Sequence, residues 1–140
     1  MNLTAFLSEN ALQDENLKII ASKRFVEKGE PVPWEIKSIT TEEDKELKKM
    51  CTKRMPVPGQ KHVYQPELNY PQYITKLAVA CTVFPNLHSA ELQDSYGVKD
   101  ADALLLKMLK PGEYGEYVAE IQKINGFDIG DDELVEEAKN

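Results

Sequence analysis

Two prolines, Pro71 and Pro85, bracket the segment that most limits what this chain can become. Between them Tyr73, Ile74, Leu77, Ala78, Cys81 and Phe84 recur at helical spacing. Pro71 suits a first helical position, because its missing N–H is one that a helix start leaves unpaired anyway. Val79 and Ala80 carry apolar character onto the other face. A helix apolar on most sides belongs inside a core, so this segment predicts a domain assembled around it.

Shorter helices are expected downstream. Ser89 precedes AELQDSYG, a short helix stopped by Gly97, and Asp100 can cap ADALLLKMLK, which Pro111 ends. PGEYGEYVAEIQKING then sets Tyr114, Tyr117, Val118, Ile121 and Ile124 on one stripe, with Asn125-Gly126 as the stop. Helices joined this tightly make a compact bundle. Upstream, Thr40 with Glu43 three positions later is the capping-box pattern and predicts a helix over 41–50. Its early acids (Glu42, Glu43, Asp44) and late lysines (Lys48, Lys49) complement the helix dipole. Only Leu47 with Met50 or Cys51 gives it an apolar side, so it should cover one edge of the core.

The first half of the chain is less regular. Residues 1–16 read as a short helix or a frayed arm with Leu3, Phe6 and Leu7 on one face. LKIIASKRFV and WEIKSI flank EKGEP and predict a β-hairpin over 17–39 with a loop longer than two residues. A lone hairpin is marginal in water, so its apolar face, Trp34 included, must pack on helices or on another chain. Residues 52–67, with three prolines and a glycine, exclude a continuous helix or a central strand and read as a connector or an extended arm. The expected class is α+β, mainly α: a compact bundle of short helices with a small N-terminal hairpin. Residues 17–127 form a single domain in this scheme, with the helical part at 70–125.

Charge is unevenly placed. The net charge is −7, and residues 64–140 alone carry fourteen acids against six bases. Phosphate backbones would be repelled by that half, which argues against a nucleic-acid partner. Residues 128–140 are strongly acidic and are expected to be disordered in the isolated protein, although DELVEEAK could form a weak helix. The opening residues lack the pattern of a secretion signal, and the longest apolar run, LAVACTVF, falls far short of the about 20 residues a membrane span needs.

Chemistry finds little support. Cys51 and Cys81 have no CxxC partner, and His62 and His88 lie outside any ligand spacing, so neither metal nor cofactor is expected. DIGDDE lacks the ligand alternation of a calcium loop. Lys49, Lys53 and Arg54 would lower the Cys51 pKa, which makes that thiol the one candidate for reactivity. No catalytic residue is nominated and no enzyme is expected. A small hydrolase or thiol enzyme would need Cys51 or His62 to meet other titratable groups in a deep pocket. The aromatics are better material, since tyrosine buries large area while keeping a polar end. Trp34, Tyr64, Tyr70 and Tyr73 are the candidate partner-binding residues, forming a shallow groove beside the connector for a partner helix.

The succession ASKRF (21–25), PVPWEIKSITTEED (31–44), CTKR (51–54), PVPG (56–59) and YITKLAVACTVFPNLHSAELQDSYGV (73–98) resembles the XkdN-like family of phage tail assembly chaperones. PGEY (111–114) and INGF (124–127) extend the match over nearly the whole chain before the acidic segment. Such proteins occur in long-tailed phages and defective prophages of Gram-positive bacteria. The resemblance implies a protein of the host bacterial cytoplasm that binds the helical tape-measure protein, keeps it soluble, helps recruit tail-tube subunits and stays out of the mature virion. It brings no catalytic motif. A structural tail component, a tube or completion protein, is the alternative, and homo-oligomerisation is left open by the exposed apolar stripes.

Overall fold

The computed structural model describes residues 1–127; the acidic segment 128–140 lies outside them. After a single 3₁₀ turn at Thr4–Phe6, the strands β1 (Leu17–Ile19), β2 (Val26–Glu27), β3 (Glu30–Pro31) and β4 (Trp34–Ile36) precede helix α1 (Thr41–Met50). Strands β5 (Thr52–Pro56) and β6 (Tyr64–Leu68) follow, then α2 (Tyr70–Cys81), β7 (Thr82–Phe84), α3 (Ala90–Ser95), α4 (Ala101–Met108) and α5 (Pro111–Ile124). The class is α+β and mainly helical. Among the described residues, no helix is long and apolar enough to cross a membrane.

Helix α2 is the central element. Tyr73, Ile74, Leu77, Ala78 and Cys81 are all buried, and α1, α4 and α5 pack around it. Leu77, Leu104, Leu105 and Ile121 are almost fully enclosed, each contributing roughly 1.5–3 kcal/mol relative to exposure. The helix starts are set locally. Thr40 Oγ1 accepts from the Glu43 amide at 3.1 Å, and the Glu43 carboxylate accepts from the Thr40 amide at 3.1 Å, closing the capping box of α1. Asn69, Ser89 and Asp100 cap α2, α3 and α4 in the same sense.

Sheet topology departs from the simple hairpin. β1 and β4 pair antiparallel with Leu17 opposite Ile36 and Ile19 opposite Trp34. The chain between them folds into a second, inner hairpin of β2 and β3. Its turn holds only Lys28 and Gly29, with φ of 52° and 81°, the left-handed pair that a tight two-residue turn requires. The expected longer loop is therefore corrected, and the expected long strand from 17 to 26 is two short ones. β4 becomes the centre of a three-stranded sheet because β7 joins its other edge, with a bulge between Glu35 and Ile36. The helical run expected to reach Phe84 stops at Cys81, and Thr82 turns it into β7. Thr82 Oγ1 donates to the Ala78 carbonyl at 2.7 Å, so Tyr117 Oη supplies the proton for their 2.6 Å contact.

The expected connector is a two-stranded ribbon. β5 and β6 pair from Thr52–Leu68 to Pro56–Tyr64, and every residue of both strands is exposed. Pro56 and Pro66 are compatible with it because each strand has a free edge. The ribbon is rooted where the Asn69 amide donates to the Cys51 carbonyl at 2.8 Å.

Candidate partner-binding surface

Tyr70 is the first residue of α2. Asn69 Oδ1 accepts from the Gln72 amide at 3.2 Å and holds this first turn in place. The Tyr70 ring is 53% exposed and lies 6.1 Å from that of Tyr73, while its hydroxyl accepts from Gln122 Nε2 of α5 at 3.3 Å. The phenol tip is thus tethered and the ring face is left open. Three shallow grooves meet at this ring. One, of about 450 Å³, runs along the ribbon past Met55, Leu68 and Pro71. A second passes Ile74, Leu106 and Tyr114, and a third passes Leu68, Tyr73 and Phe127.

The surface is apolar with a charged border. Met55, Leu68, Leu106 and Phe127 are all exposed around Tyr70. Lys53 and Glu67, opposite each other in the ribbon, line the first groove and Lys48 the third. Lys48 reaches Asp44 at 3.1 Å and lies 5.5 Å from the centre of the Tyr73 ring, so it edges the face without covering it. A larger depression of about 650 Å³ lies between β1 and the other side of α5, lined by Leu17, Ile20, Glu113, Glu116 and Glu120. Two of its carboxylates are engaged locally, Glu113 with Arg24 at 3.8 Å and Glu120 with Lys123 at 3.6 Å. The Tyr70 face is the more apolar of the two surfaces.

The four residues nominated from the sequence separate into two pairs. Tyr64 and Tyr70 are exposed, Tyr64 on the ribbon and Tyr70 at its root. Trp34 and Tyr73 belong to the core instead, at 2% and 4% exposure. Trp34 packs edge-on to Tyr117 at 5.2 Å, on the inner face of the central strand. Tyr73 donates its hydroxyl proton to the buried Asp44 carboxylate, which joins α2 to α1; burial is the main cause of its raised pKa, and the Asp44 hydrogen bond adds to it. Leu106 and Phe127 were not nominated. The run Leu104-Leu105-Leu106 held a signal for the first, since three consecutive helical positions cannot all face one core.

Cys51 is buried, and desolvation pushes its thiol pKa up, so the expected lowering by neighbouring bases is corrected. Cys81 is buried and raised for the same first reason. His62 is exposed near the end of the ribbon at φ 62°, and His88 is exposed ahead of α3. Among the described residues, no three His, Cys, Asp or Glu side chains gather as a metal site would require.

Comparison with known proteins places this geometry in context. The model of the phage XkdN-like tail assembly chaperone protein family matches residues 3–139. The chain is 36% identical to the uncharacterized protein YqbN of Bacillus subtilis (strain 168), over 99% of this chain and 93% of that one. It is 33% identical to the phage-like element PBSX protein XkdN of the same organism, over 99% and 94%. The crystal structure of the protein YqbN superposes with a TM-score of 0.78 at 31% identity, covering 91% of this chain and 98% of that one.

Proposed function

The chain belongs to the phage XkdN-like tail assembly chaperone family, and from that premise we propose that it binds the tape-measure protein through the face around Tyr70. Bound there, the client stays dispersed in the host bacterial cytoplasm while tail-tube subunits are recruited, and the chaperone is absent from the mature virion. The observation that carries this role is the meeting of three apolar grooves at one tethered, exposed tyrosine. An amphipathic client helix exposes an apolar stripe until assembly, and grooves of this kind accept such a stripe at the i, i+3, i+4 spacing. The net charge of −7 opposes aggregation of the loaded complex. Release must be possible, since tube subunits take the place of the chaperone.

Co-expression with the tape-measure protein, followed by affinity capture and size-exclusion chromatography with light scattering, tests this role. A soluble complex of defined stoichiometry, with the tape measure alone aggregating, is the expected result. No complex, together with assembly of this chain into rings or tubes, would assign it to the tail structure instead. A complex that tube protein cannot displace would contradict the release step.

A further inference from the structure

Residues 1–12 hold five large apolar side chains, Met1, Leu3, Phe6, Leu7 and Leu12, and all five are exposed, Phe6 at 80% and Leu12 at 97%. The segment makes side-chain hydrogen bonds with itself, Asn2 Oδ1 accepting from the Thr4 amide at 2.9 Å and Asn10 Nδ2 donating to the Thr4 carbonyl at 2.8 Å. Among the described residues, such a bond reaches the domain only at its root, where Asn16 donates to Glu35 at 3.1 Å. An apolar run of this kind is a feature that seeks cover. Leu3, Phe6 and Leu7 stand at i, i+3 and i+4, the spacing by which a helix offers one side to a groove, and Thr4–Phe6 already forms a 3₁₀ turn.

The arm leaves the domain on the side away from the Tyr70 face. Its root, Leu17, lines the depression shared with Glu113, Glu116 and Glu120 of α5, whereas the Tyr70 grooves use Tyr114 and Gln122 from the opposite side of that helix. Its apolar side chains are open to solvent. Residues 1–16 carry Glu9, Asp14 and Glu15 with no Lys or Arg, and the grooves of the face are lined by Lys48 and Lys53 against one acid, Glu67.

We propose that residues 1–12 of one copy dock on the Tyr70 face of a second copy, covering it until a client displaces the arm. This rests on the assignment of that face as the client surface. The arm stands in for the client helix, with Leu3, Phe6 and Leu7 in the grooves and Glu9 toward the lysines at their edge. Exchange in both directions gives a two-fold dimer, and the client's apparent affinity falls with the fraction of faces left open.

The test compares the full chain with a variant lacking residues 2–12, by light scattering, thermal unfolding and titration with a labelled peptide of residues 1–16. The full chain is expected to dimerise with concentration, and the shortened chain to remain monomeric with the Tm the full chain shows when dilute enough to be monomeric. The shortened chain should bind the peptide, and Tyr70→Ser with Leu106→Asp should weaken that binding at least tenfold. A full chain that stays monomeric at the same concentrations, whether its arm is free or folded onto its own face, overturns the proposal. Peptide binding indifferent to the two face substitutions does so as well. Titration of the shortened chain with tape-measure protein separates the two assignments: client binding without peptide binding defeats the arm proposal alone, and peptide binding without client binding defeats the client assignment alone.

Discussion

The backbone amide of Ile39 donates to Oδ1 of Asn125, 86 residues further along the chain, at 2.9 Å. The Asn125 side chain in turn donates through Nδ2 to the Ile121 carbonyl at 2.8 Å and to Cys81 Sγ at 3.3 Å. One side chain therefore ties the segment ahead of α1, the end of α2 and the end of α5. Asn125→Ala leaves the Ile39 amide without this acceptor and is expected to lower stability by about 1–3 kcal/mol. Asn125→Asp keeps the acceptor, loses the two donors, and should fall between. Urea denaturation checks this; a loss below about 0.5 kcal/mol for the alanine variant, within the range of neutral surface substitutions, would show that water replaces the tie.

Helix starts should govern the acid limb of stability. Glu43 has its pKa lowered first by the Thr40 amide and then by the Thr40 hydroxyl. Glu113 is lowered first by the Lys110 amide, which donates to it at 2.8 Å, and then by the Ser22 hydroxyl. A depressed folded pKa means stability that is complete above the unfolded value, near 4.5, and lost as pH falls through the folded one. Glu43→Gln and Glu113→Gln, whose amide oxygens still accept the capping bond, should flatten the dependence of Tm on pH below 4.5. An acid limb unchanged in both variants would place its origin elsewhere.

Both thiols should be silent in the folded protein. Cys51 and Cys81 are buried with raised pKa values, and the thiolate is the reactive form. Ellman's reagent at pH 8 is expected to label neither at an appreciable rate until denaturant is added, when both react. Rapid native labelling of Cys51 would contradict its burial at the C-terminal end of α1.

Trp34 is the only tryptophan, which makes its position readable in solution. Its fluorescence should be blue-shifted, poorly quenched by iodide and unchanged when client binds. Trp34→Ala should lower stability by about 3–5 kcal/mol, the range for removing a large aromatic from a core. Quenching on client addition would instead return Trp34 to the binding surface.

Much of the helical scaffold was legible because its signals are local. Thr40 with Glu43, Asp100 ahead of its leucines and Asn125-Gly126 each mark a helix end through bonds within a few residues. The strands were harder. β7 continues the apolar run of α2 without a break, and only β-branched Thr82 and Val83 hint at a change that pairing with β4 then decides. The tight turn of the inner hairpin places Lys28 where asparagine or aspartate would have announced it. Which aromatics face outward was least legible, because exposure follows tertiary packing: Trp34 entered the core through the central strand, and Tyr70 stayed out although its helix is buried along most of its length.

The affinity of the tape-measure protein for the chain carrying Tyr70→Ser and Leu106→Asp, set beside the wild type, tests the central claim most directly. Both side chains are exposed, so folding should be retained within about 0.5 kcal/mol, while loss of an aromatic anchor from an apolar face costs about 2 kcal/mol of binding or more. The predicted result is an unchanged Tm with client affinity reduced by at least tenfold. Client affinity equal to that of the wild type, at the same Tm, would move the binding surface away from Tyr70.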